Sequence, residues 1–351
     1  MSDSHLAGLT VAVTGATGNV GTALLRRLTD PASGVAEVRG LARRQPPGEA
    51  PYDRVRWHLV DIGQSSSETL LPPFLDGVDA VVHLAWALQP GREPERLREV
   101  NVDGTRRVVS AAVAAGVEHV VHMSSLGAYS PAAVGQKVTE DWPVTGIPSA
   151  QYSRDKAAAE QVVREVVGRR SDVTLTVVRP TLVLQPVAGA SIGRYFLGPL
   201  VYGVARALPG PLARLLPLPA PALHIGFVHA DDVADAIMRM LDQRPPGPFN
   251  LTADPLVDAA ELARILGTRR VPVPAVLART ALAAAFRAHL VPTEPGWLDI
   301  ALQAPALDSS RARKVLGWEP EHPGDEALRE FVAALGRGEG APGHPLLAPA
   351  R

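Results

Sequence analysis

The sequence predicts an α/β fold in which helices cover both faces of a doubly wound parallel sheet, followed by a smaller, mostly helical lobe. Three observations favour this fold class. Apolar, β-branched runs alternate with helix-like stretches from residue 9 to about residue 180, and this alternation is typical of a parallel sheet. Three glycines stand where the first strand passes into the first helix. Residues 186–222 then form an apolar segment rich in proline and glycine, with few helix caps.

The predicted elements follow one another in a regular order. The strands are expected at 9–13, 35–41, 54–60, 78–84, 117–123, 173–178, 225–229 and 248–251, and the helices at 20–28, 95–115, 151–167 and 231–241. We therefore assign residues 1–185 to a dinucleotide-binding domain, to which 224–251 return. Residues 186–223 and 252–335 form the predicted substrate lobe, and 336–351 a flexible tail.

The composition excludes several classes of function. The chain has 351 residues, 46% hydrophobic and 20% charged, which allows a sizeable core. Its net charge of −1 gives no electrostatic reason to expect nucleic acid or an anionic membrane as a partner. The absence of cysteine excludes disulfides, thiolate catalysis and cysteine–metal sites, and we predict no metal.

Two segments of the sequence bear on the cellular location of the protein: the N-terminal residues and the most apolar later stretch. The first five residues have neither a basic region nor an apolar region of the kind found in signal peptides. Residues 195–223 are interrupted by arginines and prolines, so they are a poor candidate for a transmembrane helix. We expect a cytoplasmic protein.

The glycine turn at the start of the chain predicts a phosphate site. Gly15, Gly18 and Gly21 lie between a buried strand and a helix. Glycines there let backbone approach a pyrophosphate, and the helix N-terminus offers free N–H groups and a partial positive charge. The spacing is Gly-x-x-Gly-x-x-Gly rather than the usual Gly-x-Gly-x-x-Gly, so an ordinary glycine-rich turn is the alternative. With the strand before and the helix after, a Rossmann-type domain is favoured.

The end of the second predicted strand bears on which nicotinamide cofactor fits. An acidic residue there would hold a ribose 2′-hydroxyl, whereas arginine would accommodate a 2′-phosphate. This strand ends in Arg43 and Arg44 with no acid, which favours NADP(H) and leaves NAD(H) possible. The alternative interpretation is a solvated basic loop.

Two further strand ends complete the predicted cofactor site. Asp61 and Ile62 follow the third strand, where an acid and a backbone amide can bind adenine; a helix cap is the alternative. Leu84, Ala85 and Trp86 follow the fourth strand, where small residues would let the chain pass close under a cofactor.

Tyr152 and Lys156 are the candidate catalytic pair. They lie four residues apart, on one face of a predicted helix. A lysine beside a phenol stabilises the phenolate and lowers the tyrosine pKa, so that the phenol can act as acid or base. Ser125, at the end of the preceding strand, can hydrogen-bond a substrate oxygen. Because the chain has only three lysines and five tyrosines, a chance match is less common here, although a surface pair remains the alternative.

The chain resembles the extended short-chain dehydrogenase/reductase family, also described as NAD-dependent epimerases/dehydratases. The matching segments occur in family order over residues 9 to about 320. They are 14–21 (Thr-Gly-Ala-Thr-Gly-Asn-Val-Gly), 61–62, 83–85, 101–105 (Asn-Val-Asp-Gly-Thr), 124–125, Tyr152 with Lys156, 179–181 (Arg-Pro-Thr) and 227–234.

The resemblance implies roles for these residues. Ser125 matches the catalytic serine or threonine, Tyr152 the acid/base, and Lys156 the lysine that binds the nicotinamide ribose and lowers the tyrosine pKa. Asn101 is expected to be structural. The residues implied to contact the cofactor are Thr14, Gly15, Thr17, Gly18, Asn19, Val20, Gly21, Arg43, Arg44, Asp61, Ile62, Leu84, Ala85, Trp86, Ser124, Tyr152, Lys156, Pro180, Thr181 and Val183.

Departures from the family pattern bear on the substrate. Nucleotide-sugar members usually carry an asparagine where this chain has Leu182, and sugar dehydratases an Asp-Glu pair where it has Leu126 and Gly127. The chain is closer to members similar to dihydroflavonol reductases and 3β-hydroxysteroid dehydrogenases. The apolar stretch 192–223, with Tyr195, Phe196 and Tyr202, would suit a hydrophobic ketone or alcohol, or would only pack the small lobe.

We therefore expect an NADP(H)-dependent carbonyl reductase or alcohol dehydrogenase acting on a small or medium apolar molecule. The alternatives are a nucleotide-sugar epimerase or dehydratase and a non-catalytic NADP(H)-binding sensor. Family members are often dimers through the helices that precede and contain the Tyr–Lys pair, so a homodimer is possible.

Overall fold

The computed structural model describes residues 5–88, 92–188 and 217–337. Its centre is a seven-stranded sheet in which all neighbouring strands are parallel. In spatial order, and numbered along the chain, the strands are β11 (Gly247–Leu251), β7 (Thr174–Pro180), β5 (His119–Met123), β4 (Ala80–His83), β1 (Thr10–Thr14), β2 (Glu37–Ala42) and β3 (Arg56–Leu59). The strand order reverses between β1 and β4, and ligands of such sheets bind at this switch point.

Helices cover both faces of the sheet. They are α1 (Asn19–Leu28), α2 (Ser67–Leu75), α3 (Pro94–Arg98), α4 (Gly104–Ala114), α5 (Gln151–Val167) and α6 (Ala230–Gln243). Val11 and Val13 of β1 point to the face covered by α1 and α6. Ala12 points to the opposite face and joins the core of α2, α4 and α5. The two-residue period of the strand thus supplies two separate cores.

The remaining elements lie beside this sheet. Strands β8 (Leu182–Leu184), β10 (His224–His229) and β12 (Ala253–Asp258) form a three-stranded sheet, and β9 (Leu218–Ala220) pairs with β13 (Arg270–Pro272). Strand β6 (Lys137–Val138) pairs with β14 (Ala306–Leu307). The C-terminal helices are α7 (Ala259–Ile265), α8 (Ala275–Arg287), α9 (Gly296–Gln303), α10 (Ser310–Leu316) and α11 (Gly324–Arg337).

The predicted fold class is confirmed, but some elements differ from expectation. Helix α2 was not predicted because Pro72 and Pro73 lie inside it; it forms nevertheless, since it buries Leu71, Phe74 and Leu75 in the core. The predicted helix 95–115 is α3 and α4 joined by a π-helical segment, Glu99–Asp103.

The stretch after residue 252 is less helical than expected, because it contains β12, β13 and β14. Strand β12 pairs antiparallel with β10 and is held there by Val257, which packs against Leu328 and Phe331. Most of the apolar stretch 192–223, including Tyr195, Phe196 and Tyr202, lies outside the described residues, as does most of the predicted tail. The domain boundaries stay a prediction.

In the part of the chain that the structure describes, no helix combines the length and apolar character needed to cross a bilayer. The same residues contain no group of three or more histidine, aspartate or glutamate side chains placed to hold a metal ion.

Candidate active site

A cleft runs along the carboxyl ends of β1, β2, β4 and β5. It consists of two adjoining cavities, of about 320 Å³ and about 510 Å³. The smaller, called here the cofactor cavity, lies over the β1–α1 turn and the ends of β2 and β3. The larger, called the substrate cavity, extends from the same turn to the start of α5. The two cavities form one continuous cleft, because they share lining residues that include Gly15, Gly18, Leu84 and Trp86.

The β1–α1 turn requires glycine at Gly15. Its φ of +67° is a conformation that residues with a side chain rarely adopt. A Cβ atom there would lie 2.7–2.8 Å from the backbone of Leu84 and Ala85. The turn is closed by a hydrogen bond from the Gly18 N–H to the Gly15 carbonyl (2.9 Å), and α1 begins at the next residue. The predicted glycine turn thus leads into a helix N-terminus at the cleft.

The structure gives Thr14 a different role from the expected cofactor contact. Thr14 is buried and does not line either cavity. Its hydroxyl is 2.7 Å from His83 Nδ1 and accepts a hydrogen bond from the Ala85 N–H (3.3 Å), so it fixes the β4 end to the glycine turn. Thr17 lines the cofactor cavity. Asn19 donates from Nδ2 to the Val183 carbonyl (2.8 Å).

Val20 and Gly21 line the substrate cavity together with the segment that follows β7. That segment contributes Pro180, Thr181 and Val183 to the wall. The hydrogen bond between Asn19 and Val183 therefore joins the two predicted contact regions, the start of α1 and strand β8 just after β7.

Arg43 and Arg44 line the cofactor cavity and are exposed. Within the described ranges, neither forms an ion pair with a carboxylate, so both guanidinium groups are free to bind an anion there. Asp61 also lines the cavity, but Oδ1 accepts from the Gly63 N–H (3.0 Å) and Oδ2 pairs with Arg96 (2.9 Å). Asp61 thus stabilises the turn after β3 and does not cap α2, which begins at Ser67 after Ser66. Ile62 is buried beside it in the wall.

Trp86 lies where the two cavities meet. Its Nε1 is buried and has no hydrogen-bond partner among the described residues. The backbone that follows is held by Asn101, which accepts from the Ala87 N–H (2.7 Å) and donates to the Ala87 carbonyl (2.9 Å). Asn101 is therefore structural, as expected, and it positions the wall of the site.

Ser125, Tyr152 and Lys156 meet at one end of the substrate cavity, as predicted. Tyr152 and Ser125 are hydrogen-bonded, and Ser125 Oγ also accepts from the Gly127 N–H (3.1 Å). Lys156 Nζ donates to the Met123 carbonyl (2.9 Å) and lies 3.5 Å from the centre of the Trp86 ring. The β5 end and the start of α5 thus place a hydroxyl, a phenol and an amine in one site.

The ionisation of this group differs from the sequence-based expectation. Burial raises the pKa of Tyr152 to about 12, and the hydrogen bond with Ser125 opposes that rise only partly. Burial also lowers the pKa of Lys156 to about 7, against the attraction of Glu160. The expectation that the lysine lowers the tyrosine pKa is therefore not met. Lys156 Nζ is 5.9 Å from the Tyr152 ring centre, and desolvation disfavours the charged form of both groups.

A buried ion pair beneath the site was not predicted. Glu160 and Arg179 are almost fully buried and form two hydrogen bonds, one of them 3.1 Å long (Nε to Oε2). Burial alone would raise the pKa of Glu160, but Arg179, aided by Arg164 and Ser124, brings it down to about 2. Ser124 Oγ donates to Glu160 Oε2 (2.7 Å). The sequence signal was available, since Glu160 lies four residues after Lys156 on the same helix.

Helix α9 forms a wall of the substrate cavity that the sequence analysis also missed. Its lining residues recur at helical spacing, at Trp297, Ile300 and Ala301 with Ala304 just beyond. Tyr152 lies between two aromatic rings, with ring centres 4.7 Å from Trp297 and 5.9 Å from Trp86. The described wall facing the reactive phenol is therefore aromatic and apolar.

Comparisons with known proteins agree with this geometry. The family model described as "NAD dependent epimerase/dehydratase family" matches residues 11–252. The chain is 32% identical to dTDP-6-deoxy-L-talose 4-dehydrogenase (NAD(P)(+)) of Kitasatospora kifunensis, over 95% of this chain and 98% of the relative. It is 37% identical to sterol demethylase protein B of Methylococcus capsulatus, over 51% of this chain and 52% of the relative.

A solved structure extends the likeness of the fold over most of the chain. The dTDP-glucose 4,6-dehydratase DesIV of Streptomyces venezuelae superposes with a TM-score of 0.69 at 24% identity, covering 93% of this chain and 96% of that chain. The resemblance drawn from the motifs is thus confirmed by sequence and by fold. The chain belongs to the NAD-dependent epimerase/dehydratase family, the extended short-chain dehydrogenases/reductases.

Proposed function

We propose that this protein is an oxidoreductase that interconverts a ketone and a secondary alcohol, with NADP(H) favoured and NAD(H) possible. The observation that carries the proposal is the convergence of Ser125, Tyr152 and Lys156 at one end of a cleft whose other end is the glycine turn. Gly15 allows the tight turn that leads into the N-terminus of α1 at the cleft, and Trp86 presents a buried N–H without a described partner. Both features fit a dinucleotide.

Each residue of the site has a role that follows from its surroundings. A bound reduced nicotinamide would supply a hydride to the carbonyl carbon. Tyr152, a neutral phenol at physiological pH because of its raised pKa, donates its proton to the carbonyl oxygen, and Ser125 hydrogen-bonds the same oxygen. Lys156 Nζ donates a hydrogen bond to the Met123 carbonyl and lies over the Trp86 ring. From this position it would bind the ribose hydroxyls of the nicotinamide cofactor. A protonated phenol is the form that the reduction step requires.

The described walls support an apolar substrate. Trp297, Ile300 and Ala304 of the α9 side line the substrate cavity together with Leu126 and Leu182. Leu182 stands where nucleotide-sugar members usually carry an asparagine, and it is 40% exposed in the cavity wall. These largely apolar side chains favour apolar groups, and Leu182 offers no amide to a diphosphate.

A nucleotide-sugar reaction is the second candidate, because the relative that matches nearly the whole chain is named for a dTDP-sugar. Assays of both substrate classes with the same protein distinguish the two candidate functions. An apolar cyclic ketone consumed with NADPH supports the first proposal. Turnover confined to a UDP- or dTDP-sugar supports the second candidate, an epimerase or dehydratase where no NADPH is consumed and a sugar dehydrogenase where it is. Binding of NADP(H) without any turnover would leave a cofactor-dependent sensor.

The replacement Tyr152→Phe tests the assigned acid/base. We expect turnover to fall by about 10²–10⁴-fold while NADP(H) affinity is retained, since the phenol oxygen is not needed for binding. The control is Tyr52→Phe, which removes a hydroxyl paired with Thr22 (2.9 Å) outside both cavities. Steady-state rates and cofactor titration measure the two effects. Near-normal turnover of the Tyr152 variant would overturn the assignment.

The replacement Arg43→Ala tests cofactor preference. Charge-assisted hydrogen bonds contribute about 1.5–3 kcal/mol, so NADPH affinity should fall about 10–100-fold while NADH affinity stays the same. Arg54→Ala, at another exposed arginine, is the matched control. Equal changes for the two cofactors would show that Arg43 does not bind a 2′-phosphate.

A further inference from the structure

Helix α8 exposes large apolar side chains to solvent, which is unusual for a helix on a surface that contacts only water. None of its residues is buried. At 100° per residue, one exposed face holds Val276, Leu277, Thr280, Ala281, Ala284 and Arg287, and Ala275 and Arg279 are exposed beside it. Val276 and Leu277 are 74% and 63% exposed, and Leu290 just beyond the helix is 68% exposed. These are the three most exposed large hydrophobic residues of the described chain.

Arginine predominates in the segment that contains this face, which lies between Glu261 and Glu294. Residues 262–293 contain five arginines and no aspartate or glutamate, although the whole chain has a net charge of −1. Arg264 and Arg279 pair with Glu261 and Asp299. Arg269 and Arg287 are exposed and form no ion pair with a carboxylate in the described ranges. The net charge of the whole chain, −1, therefore does not indicate that this apolar surface is basic.

We propose that α8 docks on an anionic lipid surface, with Val276, Leu277 and Leu290 entering the headgroup region and Arg287 contacting lipid phosphates. An exposed apolar helix face bordered by arginine is the pattern of interfacial helices. This departs from the expectation, drawn from net charge alone, that no membrane is a partner.

A second copy of the chain fits this face less well. A two-fold contact would bring two copies of the same arginine-containing surface together, with no acidic residue on the exposed face of α8 to compensate. The 13-residue helix is about 20 Å long and its face about 10 Å wide, so the contact would bury about 200 Å² per chain, against about 800 Å² in a standard interface. Charge and area both favour a lipid surface.

The position of α8 connects this surface to the cleft. Arg279 forms two hydrogen bonds with Asp299 of α9 (2.7 and 2.9 Å), and α9 lines the substrate cavity. Near the other end, the guanidinium of Arg92 lies 4.1 Å from the centre of the Phe286 ring. Docking of α8 would thus bring the wall of the substrate cavity close to the bilayer. An apolar substrate could then enter the cavity from the bilayer, and this entry route is the only part of the inference that rests on the proposed function.

Vesicle flotation of the full chain tests the proposal. We expect binding to phosphatidylcholine vesicles that contain phosphatidylglycerol, at least about tenfold weaker binding to phosphatidylcholine alone, and weakening by salt. The double variant Val276→Asp/Leu277→Asp and the variant Arg287→Glu should each lose binding at least about tenfold. Leu70→Asp, at a 46% exposed helical leucine, and Arg169→Glu, at an exposed arginine, are the matched controls and should bind normally.

The outcomes separate the occupants of this face. No vesicle binding, equal binding to both vesicles, or equal loss in the controls would overturn the proposal. A chain that forms dimers abolished by Leu277→Asp, without vesicle binding, would assign the face to a second copy. Melting curves show whether each variant is folded, and because flotation needs no turnover, a failure here leaves the proposed reaction unaffected.

Discussion

At the β1 end of the cleft the backbone itself forms the wall, whereas at the α5 end side chains do. Gly15 lies against the backbone of Leu84 and Ala85, with no charged group involved. Tyr152 and Lys156 instead lie above the buried charges of Glu160 and Arg179. The geometry of the first end depends on space, and that of the second on ionisation. We therefore expect the first to be sensitive to added atoms and the second to pH and charge.

The largest expected effect is at Lys156. Its pKa in the fold is about 7, against an ordinary value of 10.5. The unfolded chain therefore binds one more proton than the folded chain between these values, so stability rises with pH from about 7. The window ends near pH 10, where tyrosines begin to titrate. The rise in the free energy of unfolding has an upper bound of about 5 kcal/mol, because the pKa of Lys156 falls from 10.5 to about 7 and each unit of pKa corresponds to about 1.4 kcal/mol.

The replacement Lys156→Met should remove this rise. Urea unfolding at a series of pH values from 7 to 10 would measure it, with Lys137→Met as control. Lys137 is 57% exposed on the surface, and its replacement should leave the slope unchanged. A Lys156→Met variant with the wild-type slope would show that the amine is charged in the fold at pH 10.

The second effect concerns the ion pair beneath the site. Glu160→Gln would leave Arg179 buried without its carboxylate, and breaking such a pair costs about 3–5 kcal/mol. Because the folded pKa of Glu160 is about 2, the wild-type protein should also lose stability as pH falls from about 4.5 to 2, and the variant should lack this component.

A surface carboxylate on the same helix provides the comparison. Glu165 is 45% exposed and lies 3.7 Å from Arg106, so Glu165→Gln should cost no more than about 1 kcal/mol. Urea unfolding measures both variants. Equal losses would mean that burial does not strengthen the dependence on Glu160.

The same contrast explains what the sequence could predict. The glycine turn was predictable because its contacts depend on backbone space, which the spacing of Gly15, Gly18 and Gly21 encodes locally. Ser125, Tyr152 and Lys156 were found because the four-residue spacing of the Tyr–Lys pair and a serine just after a strand are local features of the sequence. The ionisation of Tyr152 and Lys156 was not, since it depends on how deeply the folded chain buries them.

Long-range packing set the other limits of prediction. Trp297 reaches Tyr152 from 145 positions away in the sequence, and nothing near either residue predicts that contact. Helix α2 forms against the local preference of Pro72 and Pro73 because its apolar residues are needed in the core. The exposed face of α8 was concealed by a net charge summed over the whole chain.

The smallest of these effects is expected at the backbone end, from Gly15→Ala. A residue with a side chain at φ +67° costs about 1–2 kcal/mol, and three backbone contacts at 2.7–2.8 Å add strain, for a total of about 2–4 kcal/mol. Gly77→Ala is the matched control, because Gly77 has φ +66° and no atom within 4 Å of an added Cβ. It should lose only the conformational part, about 1–2 kcal/mol. Urea unfolding gives both values, and NADP(H) titration should show weaker binding for Gly15→Ala alone. If the two variants lose equal stability and bind equally well, the close approach of Gly15 to Leu84 and Ala85 does not determine the shape of the cleft, and the contrast between its two ends fails.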